Sequence, residues 1–235
     1  MQTVLITGSN RGLGYELTRQ YLAQNAQVIA SCRQPESANQ LHLLKKKYGN
    51  SLTIIPLDVT QENSIKEAFN LVEKNFSHLN LLLNNAGIGF RKSFQELTID
   101  DLSNVFLTNA IAPLIMTRTF LPLLAKGNRP LIANITSQLG SITLQTGDFS
   151  GIGSIDYNAS KAALNMMSTM LASELKAQGI IVLIQSPGWA TTDMGGDQAP
   201  NTPEEVVSGM IEIFANATVK DTGKYYEWTG EELPW

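Results

Sequence analysis

The chain has 235 residues, of which 43% are hydrophobic and 16% are charged, and its formal net charge is −4. This composition is typical of a globular protein with a substantial core, and without a basic block it argues against nucleic acid or an anionic membrane as partner. The single cysteine, Cys32, cannot form an internal disulfide, which favours a reducing cytoplasm. The first ten residues indicate a strand and not a signal peptide, and no uninterrupted apolar stretch approaches the ~18 residues of a membrane span.

Short apolar runs alternate with amphipathic segments along the chain. Strands are predicted over residues 3–7, 28–31, 52–57, 79–83, 130–135, 180–184 and 224–228. Helices are predicted from the first glycine turn to about residue 25, and over about 37–47, 63–76, 100–124, 157–179 and 203–217. Pro113 and Pro122 predict a kink or break in the fourth helix. The alternation predicts an α/β fold with a parallel sheet covered on both faces, and without a linker or repeat we expect one domain over 1–235.

A glycine-rich turn follows the first predicted strand and precedes the first helix. Its spacing, Gly8-x-x-x-Gly12-x-Gly14, departs from the G-x-G-x-x-G fingerprint, and no Lys-Ser/Thr follows that would make it a P-loop. Strand, glycine turn and helix together present backbone N–H groups and a helix N-terminus to a phosphate. The turn therefore predicts a dinucleotide site, with a ligand-free glycine turn as the alternative.

The residues after the second strand bear on which dinucleotide would bind. An NAD site usually carries an acidic residue there, but this chain has Ser31-Cys32-Arg33-Gln34. Arg33 could pair with a 2′-phosphate, since guanidinium suits bidentate phosphate contacts, and Arg11 in the glycine turn is a second candidate. The alternative for each is a solvated surface arginine. We predict NADP(H) over NAD(H).

Tyr157 and Lys161 stand four residues apart at the start of a predicted helix. Residues at this spacing share one helical face, which places the phenol beside the ammonium group. A free tyrosine titrates near ~10, and a nearby cation lowers that pKa. The pair could serve as a tuned acid and base, although most pairs at this spacing are only surface neighbours.

Six motifs in order make the chain similar to the classical short-chain dehydrogenase/reductase family over essentially its whole length. They are the glycine turn, Asn84-Asn85-Ala86-Gly87, Asn109, Ser137, Tyr157-x-x-x-Lys161 and Pro187-Gly188. Within the family the chain most resembles the carbonyl-reductase-like group that includes the C-factor and sniffer proteins. Residues 7–14, 187–189, 194–196 and 230–235 carry that closer resemblance.

The resemblance implies a Rossmann sheet of seven strands in the order 3-2-1-4-5-6-7, and reduction of an aldehyde or ketone to an alcohol, or the reverse. Tyr157 would be the general acid/base, Ser137 would bind the substrate oxygen, and Asn109 would hold a water in a proton relay. Lys161 would lower the tyrosine pKa and hold the nicotinamide ribose. Ser141 is a rival for the serine role.

The resemblance also implies a cofactor site in which Asp58 binds the adenine amine and Thr192 the nicotinamide carboxamide. The residues expected to bind NADP(H) are Gly8, Asn10, Arg11, Gly12, Leu13, Gly14, Arg33, Asp58, Val59, Asn85, Ala86, Gly87, Tyr157, Lys161, Pro187, Gly188, Trp189 and Thr192. The apolar residues expected to line a substrate pocket, each of which could equally be core, are Ile88, Leu139, Phe149, Trp189 and Met194. No metal is expected.

Three further expectations concern loops, assembly and role. The long segment between Ser137 and Tyr157 should form a loop near the substrate mouth, and residues 190–202 are a candidate lid. A homodimer packed through the helices of Asn109 and Tyr157 is expected, with a monomer as the alternative. Met166, Met167 and Met170 could serve that surface or the core. The competing function is an NADP-binding signalling protein of C-factor type with little or no turnover.

Overall fold

Seven strands alternate with helices along the chain, and the computed structural model describes residues 1–89 and 92–235. The strands are Thr3–Thr7 (β1), Gln27–Cys32 (β2), Leu52–Pro56 (β3), Leu81–Asn84 (β4), Leu131–Ile135 (β5), Ile181–Ser186 (β6) and Tyr225–Glu227 (β7). The helices are Gly12–Ala23 (α1), Asn39–Tyr48 (α2), Glu62–Asn75 (α3), Ile99–Phe106 (α4), Ala112–Leu124 (α5), Ile142–Gln145 (α6), Ile155–Leu175 (α7) and Pro203–Asn216 (α8). Each predicted strand is present, with its ends shifted by at most two residues.

The strands form one all-parallel sheet in the order β3-β2-β1-β4-β5-β6-β7, as the resemblance predicts. Because every strand runs the same way, the segments that follow the strands meet at one edge of the sheet. The chain moves outward in opposite directions on the two sides of β1 and β4, which creates the crevice where ligands bind in open α/β sheets. The predicted site motifs follow β1, β2, β3, β4, β5 and β6, so the topology gathers them at this edge.

The sheet has an apolar core on each face. Side chains alternate along β1, so that Val4 and Ile6 enter one core and Leu5 the other. The first core includes Leu17 of α1 and Val206 of α8, and α2 also covers that face; α3, α5 and α7 cover the other. Because both faces are buried, the strands are continuously apolar instead of alternating with polar residues.

The predicted long helix is interrupted between α4 and α5. A π-helical segment, Leu107–Ile111, joins the two helices. Pro113 follows closely and has no N–H to donate to the carbonyl of Asn109, so the α-helical ladder cannot pass regularly through this turn. The break expected near Pro113 is therefore confirmed. Pro122 does not break the helix, because α5 continues to Leu124.

Among the described residues, one helical stretch, Ile99–Leu124, has the length and mean hydropathy (1.3) to cross a membrane by those two measures alone. Its most apolar window is 56% buried within the fold. Met116 and Phe120 are among its side chains that fill the core beside β4 and β5. The apolar side chains of this stretch thus pack against the sheet.

Candidate active site

The glycine turn between β1 and α1 requires glycine at three positions. Gly8 and Gly12 have φ angles of 68° and 53°, which favour residues without a Cβ. A Cβ on Gly14 would collide with the carbonyl oxygen of Gly8 and lie 2.5 Å from the Asn85 amide nitrogen. The turn leads directly into the N-terminus of α1, where backbone N–H groups are available to an anion. This arrangement fits the pyrophosphate of a dinucleotide.

Thr7 connects the glycine turn to the motif after β4. Its hydroxyl accepts hydrogen bonds from the backbone N–H groups of Asn85 and Ala86, both at 3.0 Å. The Asn85 amide donates to the carbonyls of Thr7 (2.8 Å) and Gly8 (3.2 Å). The two predicted cofactor segments are therefore held side by side across the switch point of the sheet.

The two predicted phosphate-binding arginines have different surroundings. Arg33 is exposed just beyond β2 and forms no hydrogen bond or ion pair with the residues in 1–89 and 92–235. Arg11, also exposed, pairs with Asp193 of the 190–202 loop at 2.9 Å. Asn10 is exposed beside it, and Leu13 is half-buried against the core. Arg33 is the cation left open to a 2′-phosphate, while Arg11 already has an anionic partner.

The predicted adenine-binding residues lie after β3. Asp58 Oδ1 accepts hydrogen bonds from the Thr60 backbone N–H (2.9 Å) and hydroxyl (2.7 Å), which fixes this turn. Val59 is half-buried against the core. The turn is thus shaped by Asp58 itself, and a second carboxylate oxygen remains for a ligand amine.

Asn109 lies in the π-helical segment and is fully buried. Its side chain accepts a hydrogen bond from the Ile88 N–H (2.9 Å) and donates to the Ile88 carbonyl (2.8 Å) and the Ser160 hydroxyl (3.0 Å). The side chain is thus engaged in joining the loop after β4 to α7. Its main-chain carbonyl lacks the usual α-helical donor, the N–H four residues on, because residue 113 is proline.

Ser137 and Ser141 have distinct roles in the structure. Ser137 follows β5, accepts the Leu139 N–H at 3.2 Å and lies close enough to the Tyr157 hydroxyl to lower its pKa. Ser141 is fully buried, caps α6 and donates to the carbonyl of Trp235 at 3.1 Å. The geometry therefore places Ser137, and not Ser141, beside the tyrosine. The segment predicted to be an irregular loop contains the short helix α6, which Ser141 caps.

Tyr157 and Lys161 lie in the first turns of α7, with the lysine nitrogen 5.5 Å from the tyrosine ring centroid. Burial raises the pKa of Tyr157 to about 12, against the opposing effect of the nearby Ser137 side chain. Burial also lowers the pKa of Lys161 to about 8. Burial is thus the main influence on the tyrosine pKa in this structure, and the expected lowering of that pKa by Lys161 stays a prediction.

Lys161 has hydrogen-bonding capacity left for a ligand. Its ammonium donates to the Ile135 carbonyl at 2.8 Å, the one partner it has in the described chain, although an ammonium has three protons. The loop after β4 passes over it, since a Cβ on Gly87 would lie 3.6 Å from Lys161 Nζ and 3.4 Å from Asn109 Oδ1. A Cβ on Gly89 would lie 3.0 Å from the Tyr157 ring. The site thus brings Asn109, Lys161 and Tyr157 around one strip of backbone.

The segment after β6 forms the opposite wall. The Ser186 hydroxyl accepts the N–H groups of Gly188 (3.2 Å) and Gln138 (3.1 Å), which joins the Pro187-Gly188 turn to the residue after Ser137. The methyl group of Thr192 lies 3.6 Å from the position of a Cβ on Gly12. The 190–202 loop therefore extends over the glycine turn.

The five predicted pocket residues divide by exposure. Trp189 (53%) and Met194 (43%) are exposed, which excludes the core alternative for them. Ile88, Leu139 and Phe149 are half-buried. The Trp189 indole donates to the Gly195 carbonyl at 2.8 Å, which bends the loop back on itself.

Two kinds of feature escaped the sequence-based predictions. Ser160, Gln138, Ser186 and Glu227 contact predicted site residues but carry no spacing signal of their own. Two cavities, of about 560 and 470 Å³, lie elsewhere: one at the amino ends of the strands and one beside α8 and β7. We assign the site from the converging polar groups and not from cavity size, because a cleft open to solvent encloses little volume.

The sequence pattern of the short chain dehydrogenase family matches residues 2–203, and the chain belongs to that family. The NADPH-bound carbonyl reductase from chicken fatty liver is 37% identical, with a TM-score of 0.93 over 100% of this chain and 99% of that chain. The carbonyl reductase Sniffer of D. melanogaster is 30% identical, with a TM-score of 0.92 over 100% of both chains. The C-signal of Myxococcus xanthus is 32% identical over 158 residues, which cover 67% of this chain and 93% of that protein. The resemblance to the carbonyl-reductase-like group is confirmed.

Proposed function

We propose that the protein is an NADPH-dependent oxidoreductase that reduces an aldehyde or ketone to an alcohol, or catalyses the reverse reaction. The observation that carries the proposal is the convergence of Asn109, Ser137, Tyr157 and Lys161 at the carboxyl edge of the sheet, beside the glycine turn. The similarity to an NADPH-bound carbonyl reductase supports it.

NADPH, when bound, would supply the hydride. The groups that fit it are the turn around Gly8 and Gly14 for the pyrophosphate, the open donors of Lys161 for a ribose hydroxyl and the exposed Arg33 for the 2′-phosphate. Because Arg33 has no anionic partner in the described ranges and the two residues directly after β2, Arg33 and Gln34, are not acidic, we propose a preference for NADP(H) over NAD(H).

Each polar group in the centre has a proposed task. Tyr157, protonated at neutral pH, donates its proton to the developing alkoxide as general acid. Ser137, which contacts the tyrosine, stabilises the same oxygen by a hydrogen bond. Lys161 orients the ribose, and the main-chain carbonyl of Asn109 holds the relay water.

The proposal is tested by NADPH and NADH consumption with a panel of aldehydes, ketones and quinones. We expect turnover with NADPH, and a loss of kcat of roughly 10²-fold or more in Tyr157→Phe, because the proton donor is removed. NADPH affinity should be retained, as measured by fluorescence titration. Tyr48→Phe, which alters a tyrosine at the end of α2, is the matched control. Full activity of Tyr157→Phe would assign proton donation to another group.

A second candidate function is that of an NADP-binding signalling protein with little or no turnover, which the similarity to the C-signal favours. Such a protein would bind NADPH but would not need the polar set around Tyr157. Tight NADPH binding without consumption of any compound in the panel would support this candidate over the reductase.

We further propose a small-molecule carbonyl or alcohol substrate, action in the cytoplasm without nucleic-acid or membrane partners, and a homodimer. The single buried thiol of Cys32 supports a reducing compartment. The exposed apolar side of α7 supports a dimer.

A further inference from the structure

A buried glutamate at the end of β7 lies behind the candidate site. Glu227 is opposite Ser186 in the register of β6 and β7, and its side chain is 5% exposed. Acidic side chains are rarely buried to this degree unless they are paired. Nothing in the proposed chemistry uses this carboxylate directly.

The Glu227 carboxylate faces two polar groups of the active-site wall. The side chains of Ser186 and Gln138 interact with it and favour its charged form. The Ser186 hydroxyl oxygen already accepts two backbone N–H groups, from Gln138 and Gly188. Its own proton therefore remains to be donated, and Glu227 is the anion that it faces.

The carboxylate is also in close contact with the backbone beyond β6. A Cβ on Gly188 would lie 2.5 Å from Glu227 Oε1, so a side chain at residue 188 and this carboxylate could not coexist as placed. The second oxygen, Glu227 Oε2, is buried and has no hydrogen-bond partner in the described part of the chain. Glu227 thus packs against the Pro187-Gly188 turn, which belongs to the residues expected to bind NADP(H).

We propose that Glu227 is a positioning residue for the reductase reaction, an inference that rests on the function proposed above. Its carboxylate orients the Ser186 hydroxyl, and Ser186 fixes the backbone of Gln138, next to Ser137, relative to Gly188. The segments after β5 and β6, which would hold substrate and nicotinamide, are thereby fixed relative to each other. Geometry of this kind matters because small misplacements of reacting groups cost large factors in rate.

The charge of Glu227 should change in the neutral range. Burial raises its pKa to about 7, Ser186 and Gln138 oppose this, and the charge of Glu231 adds to the increase. Tyr225, on the same strand, is the other titratable group in the described chain whose pKa is affected by the Glu227 charge, which raises it. A carboxylate accepts a stronger hydrogen bond than a neutral acid, so Ser186 is held best above about pH 7. Activity should therefore rise as the pH increases through this range.

The test compares Glu227→Gln with wild type at pH 6 and pH 8, using kcat for a carbonyl compound and Kd for NADPH. Glutamine keeps an acceptor but stays neutral. We expect kcat to fall about tenfold and NADPH affinity about threefold at pH 8. At pH 6, where wild-type Glu227 is itself protonated, the two proteins should have nearly the same kcat and the same NADPH affinity. Ser186→Ala should lose activity at both values, and Glu212→Gln, which alters an exposed acid on α8, should retain the wild-type pH dependence.

Two outcomes separate this inference from the proposed function. If the wild type turns over and the ratio of its kcat to that of Glu227→Gln is the same at pH 6 and pH 8, the positioning role of Glu227 is overturned. The proposed reductase function is then unaffected. A wild type without turnover would overturn the proposed reductase function. The positioning role of Glu227 would then be tested by comparing the NADPH affinities of wild type and Glu227→Gln at pH 6 and at pH 8. Thermal denaturation of both proteins identifies any simple loss of folding.

Discussion

At the residue scale, burial determines the protonation of the two groups at the centre of the site. A tyrosine with a pKa near 12 carries its proton at neutral pH, as a general acid for carbonyl reduction must. A lysine with a pKa near 8 is mostly charged there but easily loses its proton. Both shifts have desolvation as their main cause, which the Tyr-x-x-x-Lys spacing does not encode. The structure therefore holds a protonated phenol beside a cation with open donors.

The close approach at Gly14 gives a prediction at a single residue. In Gly14→Ala the new Cβ would collide with the Gly8 carbonyl and crowd the Asn85 amide, so the turn must move. We expect a loss of about 1–3 kcal/mol in the free energy of unfolding, with NADPH affinity reduced at least about tenfold. Denaturant titration and fluorescence titration measure the two effects.

Gly147→Ala is the control for this change. The nearest atom to its Cβ would be the Thr143 carbonyl oxygen at 3.5 Å, and Gly147 does not have a positive φ. Its stability should stay within about 0.5 kcal/mol of wild type. If Gly14→Ala bound NADPH as tightly as Gly147→Ala, the turn would not be the pyrophosphate site.

At the scale of elements, the site is assembled from segments that connect the strands to the helices. The 190–202 loop lies over the glycine turn, with Thr192 near Gly12 and Asp193 paired with Arg11. Arg11 is also a predicted cofactor-binding cation, so the loop carboxylate and a cofactor phosphate would compete for the same guanidinium. This competition would link the position of the loop to cofactor binding.

Removing the loop charge should make that competition visible. In Asp193→Asn we expect NADPH to bind up to about fivefold more tightly at low salt, because exposed ion pairs of this kind are worth about 0–1 kcal/mol. Limited proteolysis without cofactor should cut the loop faster than in wild type. Asp197→Asn, at an exposed position in the same loop, should change neither measurement. Weaker NADPH binding by Asp193→Asn would instead mean that Asp193 holds Arg11 in its binding position.

At the scale of the whole molecule, the fold follows closely from the sequence because the parallel sheet is buried on both faces. Continuous apolar runs such as 3–7 and 180–184 have few other stable environments, and each is a strand within one or two residues. The proline at residue 113 located the helix break, since a missing N–H is a local property. The motifs at the strand ends were predictable for the same reason: the topology places them at one edge.

Features that depend on contacts between distant segments could not be predicted. The choice between Ser137 and Ser141 depends on α6 and on Trp235, about ninety residues away. The burial of Glu227 and its approach to Ser186 arise from the pairing of β6 with β7. The spacing of residues in the sequence does not indicate which side chains are buried by residues far away in the chain.

The outer side of α7 bears on the assembly of the whole molecule. Met166 (65% exposed) and Met170 (64% exposed) are one helical turn apart and therefore belong to the surface and not to the core. Ile111, in the neighbouring π-helical segment, is also exposed. Exposed apolar side chains grouped in this way favour an interface with a second copy, in which each patch contacts its own counterpart.

We therefore expect light scattering to give the mass of a dimer, twice the 25.7 kDa of one chain. Met170→Lys should shift the protein to monomer, because the two-fold arrangement would bring two lysines into one apolar interface. Leu43→Lys, at an exposed apolar position on α2 on the other side of the sheet, should remain dimeric. A wild type that is monomeric at all accessible concentrations would contradict the homodimer. Dissociation of Leu43→Lys alone would place the interface on the α2 side and leave the methionines as ordinary surface residues.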